Sequence, residues 1–177
     1  GVNDYITKPF QSTDLLTRVK SVLLRAGRNE DIHNLTKLPG RNILHERLNS
    51  LIEEKELFCA FCTDIKGISL INRAYGYEQG DRLIAMTADV IAHAIEKTRS
   101  SIQFLAHTDA DNFFFVTDAH VRDACADTII KGFDEVLKNF FKDNELESGC
   151  FQVTNRKKET VSVPLPVLSI GATTNEY

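Results

Sequence analysis

Residues 107–113 read His-Thr-Asp-Ala-Asp-Asn-Phe and carry two carboxylates two positions apart, Asp109 and Asp111, between the apolar runs 102–105 and 113–116. Short β-rich runs around a polar stretch predict an antiparallel hairpin with its turn near Asp109 and Ala110. Stability alone does not select paired carboxylates in a turn, so the chemistry to consider is a cation or phosphate site, or the remains of one. A further carboxylate, Asp64, comes near the end of the almost wholly apolar run 57–65. A carboxylate at the end of a buried strand is a candidate site residue. Cys59 and Cys62 have a CxxC spacing, but they fall inside that same strand with no turn to bring both sulfurs to one ion. They read as buried free thiols.

The elements that must position these groups alternate. An amphipathic helix follows residue 41, with Ile43, Leu44, Leu48, Leu51 and Ile52 inward. The apolar run 57–65 reads as a central strand. Residues 68–75 are helical, and a long helix from about Asp81 to Lys97 places Leu83, Ile84, Ala88, Ile91 and Ile95 on one side. After the hairpin, another amphipathic helix spans roughly 121–142 with Ile129, Ile130, Phe133, Leu137 and Phe140 inward. Residues 150–153 and 160–163 read as paired strands around the basic turn 156–158, and 167–173 as a last strand. Tyr75, Tyr77 and residues 113–115 read as core and edge packing, and His107 as a surface histidine. Alternation interrupted by a hairpin argues for an α+β fold, a mixed and largely antiparallel sheet flanked by helices in the ferredoxin-like style.

Composition narrows the function classes. The 177 residues suit one well-buried domain with something over. A net charge of −4 with one short basic run argues against a nucleic-acid surface. No run approaches the roughly 18 apolar residues of a membrane helix, and no signal peptide is evident, so the expected home is the cytoplasm.

Two resemblances emerge from the motifs. Residues 1–27, which contain Lys8-Pro9-Phe10 and an apolar-periodic helix, resemble the C-terminal strand and helix of a response-regulator receiver domain. The resemblance covers about the last quarter of such a domain, without its phospho-acceptor. Leu15, Val19 and Val22 suit a helix-helix seam, with a second copy of the chain or with the chain's own main domain. Residues 28–34 read as a linker. From about residue 33, the set Leu35-Thr36, Leu38-Pro39, Arg41, Asp64-Ile65, Ile71-Asn72, Tyr75-Gly76, Gly80-Asp81, Phe113 and Ser169-Ile170-Gly171 resembles the GGDEF domains of diguanylate cyclases. The resemblance implies a nucleotidyl-cyclase-like fold over residues 35–177, shortened at its C-terminus before a helix that supplies basic phosphate contacts. It implies Asp64, the carbonyl of Ile65 and Asp111 at the metal-binding positions for Mg²⁺, and Asn72 and Asp81 at the guanine-reading positions of a GTP site.

The departures concern the same site. The signature Gly-Gly-Asp-Glu-Phe is Asp109-Ala110-Asp111-Asn112-Phe113 here. Glycine pairs permit positive φ and close approach of backbone to a ligand, which Ala tolerates poorly. Asp109 puts a carboxylate on the expected polyphosphate path, and Asn112 cannot act as a base or anionic ligand. His107 replaces the family's Arg before the signature, His33 the Asp opening its Asp-x-Leu-Thr motif, Lys66 the second Asp of Asp-Ile-Asp, Ile68 a Phe, Ser69 a Lys and Arg73 an Asp. Ser100 and Gln103 occupy the places of the Arg-x-x-Asp product-inhibition motif. Bland readings stand beside the functional ones: Asp64 and Asp111 as solvated strand-end carboxylates, and Asn72 and Asp81 as capping residues, with Asp81 an N-cap. The resulting expectation is a degenerate GGDEF output domain of a response regulator, with no catalytic residues, acting through a protein partner, a homodimer or retained nucleotide binding. The alternative is a working cyclase that makes cyclic di-GMP from two GTP with Mg²⁺.

Overall fold

The computed structural model describes residues 31–154 and 158–176, together with Leu15 and Leu16, which are helical and exposed. The remainder of the receiver-like stretch, with Lys8 and the other seam residues, lies outside the described residues.

Residues 31–40 form a turn closed by an Ile32–Pro39 bridge and by the His33 N–H donating to the Leu38 carbonyl at 2.9 Å. Helix α1 (Arg41–Glu53) follows, then β1 (Phe58–Lys66), α2 (Ile68–Tyr75), α3 (Tyr77–Thr98), β2 (Phe104–His107) and β3 (Asn112–Asp118). After a short 3₁₀ turn come α4 (Arg122–Phe140), α5 (Asp143–Ser148), β4 (Cys150–Thr154), β5 (Thr160–Pro164) and β6 (Val167–Thr174). The main sheet runs β2-β3-β1-β6, with every ladder antiparallel. Strands β4 and β5 pair separately as a two-stranded hairpin. The result is the expected α+β architecture in ferredoxin-like strand order, with the small hairpin inserted before the last strand.

The central position of β1 follows from its composition. Cys59, Phe61, Thr63 and Ile65 are almost fully buried on one face, where the Phe61 and Phe115 rings stack across the ladder with centroids 4.4 Å apart. Leu83, Ile91, Ile129 and Phe133 from α3 and α4 complete that core. On the other face Phe58 joins Leu51 of α1, Ile102 and Val116 in a smaller cluster. Alternation then puts Cys62 and Asp64 on this second face, half-buried, opposite in direction to Cys59.

Several local expectations are corrected. The long helix begins at Tyr77, because the break falls at Gly76, whose φ of 92° closes α2 and admits a new helix at once. Asp81 therefore lies in the second turn and is not an N-cap. The helix expected over 121–142 ends at Phe140, and α5 follows it as a separate short helix. Ile52 and Ile130, expected inward, are 58% and 50% exposed, and Tyr77 is 78% exposed, so none of the three is core. Tyr75 does pack, against Phe140, Phe141 and Phe151, and its hydroxyl donates to Glu145 Oε1 at 2.7 Å.

Candidate functional site

Asp64 and Asp111 meet where β1 leaves the sheet beside the β2–β3 turn. In the ladders Asp64 stands opposite Asn112 on one side and Ser169 on the other. The Ile65 N–H donates to the Asp111 carbonyl at 3.2 Å, tying the turn to the strand that carries the first carboxylate. Burial raises the pKa of the Asp111 carboxyl, and the charges of Asp64 and then Asp109 add to the rise. Two carboxylates pressing on one another beside a backbone carbonyl are a donor set suited to a hard divalent cation. Such a cation takes its remaining ligands from water and phosphate. Among the described residues no three His, Cys, Asp or Glu side chains converge on one point.

The turn itself is pinned by side-chain contacts. Positive φ among the described non-glycine residues occurs at Lys37, Lys55, Arg99 and Lys158, so Asp109 and Ala110 make the turn without the left-handed backbone that glycines permit. Arg41 Nη2 donates to Asp109 Oδ2 at 2.6 Å, an exposed pair that neutralises the carboxylate at a contribution of about 0–1 kcal/mol. The Asn112 amide donates to Asp111 Oδ1 at 3.4 Å, a long hydrogen bond where an acidic residue would repel.

Beneath the turn lies a pair of histidines. His107 is 1% exposed and so is no surface residue. Its ring stacks on Phe113 at 4.3 Å and meets the His33 ring at 3.5 Å with a tilt of 31°, and its Nδ1 shares a 2.9 Å hydrogen bond with Thr36 Oγ1. Burial and then the neighbouring His33 push its pKa down to about 4. Burial lowers that of His33 as well, against an opposing pull from the Asp81 carboxylate. The two positions at which the resembled pattern has Asp and Arg are thus in contact, and both carry imidazoles.

Asn72 and Asp81 form a second group at the α2–α3 break. Asn72 Oδ1 is buried without a partner and lies against Gly80, where an added Cβ would sit 1.8 Å away. Asp81, next in the chain, is exposed. Ser100 ties the entry of β2 to Asp118 through its hydroxyl. Sequence reasoning missed the roles of His33 and Arg41 because their partners, His107 and Asp109, are about seventy residues away and no local pattern links them.

The family model for the diguanylate cyclase GGDEF domain matches residues 30–156. The chain belongs to the GGDEF family. Among solved structures, the coiled coil and GGDEF domain of DgcB from Caulobacter crescentus, in complex with c-di-GMP, covers 93% of this chain and 80% of its own at 19% identity and a TM-score of 0.58. A GGDEF domain of TpbB from Pseudomonas aeruginosa covers 81% and 74% at 22% identity and a TM-score of 0.55. These likenesses establish the GGDEF fold. Among curated proteins, the bifunctional diguanylate cyclase/cyclic di-GMP phosphodiesterase MucR of Pseudomonas aeruginosa is 30% identical over 49% of this chain. The heme response regulator HssR of Staphylococcus haemolyticus is 27% identical over 58%. The chain spans 13% and 52% of the lengths of those two relatives. No helix among the described residues is long and apolar enough to cross a membrane.

Proposed function

We propose that this chain is a degenerate GGDEF output domain of a response regulator, one that retains a nucleotide and cation site but does not turn GTP over. The observation that carries the reading is the rebuilt signature turn. Asp111 keeps its place beside Asp64, while Asp109 is held by Arg41 and Asn112 supplies an amide in place of an acid. Concerted sites lose most of their effect when one member is removed.

In this reading Asp64, Asp111 and the Ile65 carbonyl would hold Mg²⁺, which when bound supplies charge neutralisation for the phosphates. Asn72 and Asp81 would read the base of GTP or a related guanine nucleotide. The domain then signals through a protein partner or a second copy of itself, from the cytoplasm, and residues 1–27 belong to a receiver-type input. The similarity to HssR supports the response-regulator setting, and that to MucR the cyclic di-GMP setting. A partly competent site is the second reading, favoured by the intact Asp64–Asp111 pair. Such a site would be active beside a partner that completes it.

The test is restoration. Asp109→Gly with Ala110→Gly and Asn112→Glu is assayed for cyclic di-GMP beside the unmodified protein. The degenerate reading expects no product from the unmodified protein, whereas product from it, by itself or beside an intact GGDEF partner, would favour the second.

A further inference from the structure

The break between α2 and α3 leaves two tyrosines in opposite states. Tyr75 packs on Phe140, Phe141 and Phe151, and its hydroxyl donates to Glu145. Tyr77, two residues on, is 78% exposed, more than any other large hydrophobic side chain among the described residues, and has no ring or hydrogen-bond partner among them. A lone exposed tyrosine needs no explanation, but the neighbours of this one are particular. Successive helical residues turn by about 100°, so residues 77, 80 and 81 share one side of the first two turns of α3. Tyr77 and Asp81 are neighbours one turn apart. Between them Gly80 carries Asn72, whose Oδ1 is buried, unpartnered and placed where a Gly80 Cβ would go. At Gly76 an added Cβ would meet nothing within 4 Å, so the start of the helix is open on that side.

We infer that Tyr77 is the stacking residue of the nucleotide site, its ring lying against the face of the purine whose edge Asn72 and Asp81 read. The inference rests on the proposed nucleotide site and adds to it a contact with the face of the base. Hydrogen bonds along one edge select a base but leave both of its faces in water. An aromatic ring against one face removes apolar surface from water and holds the plane of the base. Side chains on a helix lean toward its N-terminus, so the Asp81 carboxylate reaches back over the turn that presents Tyr77. A base held at Asp81 therefore lies beside the tyrosine ring, which finds no cover elsewhere among the described residues.

The test is calorimetric titration of the whole chain with GTP in Mg²⁺. Tyr77→Phe keeps the ring and is expected to bind as wild type does, whereas Tyr77→Leu keeps apolar bulk without a ring and is expected to bind about tenfold more weakly. The side chain is exposed, so neither substitution disturbs the core. The chain has no tryptophan, and Tyr77→Trp therefore adds a single indole that reports the contact directly. Its fluorescence is expected to be quenched by GTP. Wild-type affinity in Tyr77→Leu, equal losses in the Phe and Leu variants, or an indole signal unmoved once calorimetry shows the site saturated each overturn the inference and leave nucleotide binding standing. Folded wild-type protein that binds no GTP overturns both.

Discussion

The His33–His107 contact carries the most consequence for its size. Both imidazoles are pushed toward neutrality by burial, His107 to about 4 from an ordinary value near 6.5. A depressed folded-state pKa means that the unfolded chain takes up the proton first as pH falls. The stabilisation is complete above about pH 6.5 and is lost as pH drops toward 4. For His107 the difference amounts to about 3 kcal/mol. Urea unfolding across pH 7 to 4 is expected to show this loss, and His107→Phe to flatten it. A second prediction concerns charge. His107→Arg alone leaves a buried charge unpaired and is expected to cost about 3 kcal/mol, and His33→Asp alone, at a half-buried position, somewhat less. The double variant places carboxylate and guanidinium in contact and is expected to recover most of that cost. Additive losses in the double-mutant cycle would show that the two side chains do not share a site. None of this could be read from the chain alone. His107 looked like a surface residue because the partner that buries it, the turn of residues 31–40, is distant in sequence.

The elements were better announced. The inward faces of α1 (apart from Ile52) and α3, the central place of β1 and the hairpin around residues 109–111 all follow from apolar periodicity and the polar break between β-rich runs. What periodicity did not reveal is where helices begin. Asp81 looked like the start of α3, yet it lies inside the helix, and Gly80 before it is small because Asn72 occupies the space where its Cβ would go. That reason yields a prediction that separates stability from binding. Gly80→Ala gains roughly 1 kcal/mol of helix propensity and must displace the Asn72 side chain. The expected outcome is a midpoint of urea unfolding near that of wild type, with GTP affinity reduced about tenfold. A variant that unfolds readily and binds normally would place Asn72 outside the site.

For the whole molecule, the fold and the family are those of a GGDEF domain, and the ferredoxin-like sheet puts Asp64 of β1 opposite Asn112, the residue after Asp111. Both positions could be found by motif because they sit at strand ends, where register fixes them. The side-chain partners of the altered turn could not. That Asp109 is neutralised by Arg41 and that Asn112 donates to Asp111 are facts of three-dimensional placement. In the proposed reading such a domain would keep the means to hold a cation and a purine while lacking the glycine turn that brings backbone to the reacting phosphates. The most direct test is to incubate the full-length protein with saturating GTP and Mg²⁺, measuring bound GTP and released cyclic di-GMP in the same sample. Bound nucleotide without product is the predicted result, and accumulation of cyclic di-GMP beyond one equivalent per dimer would contradict it.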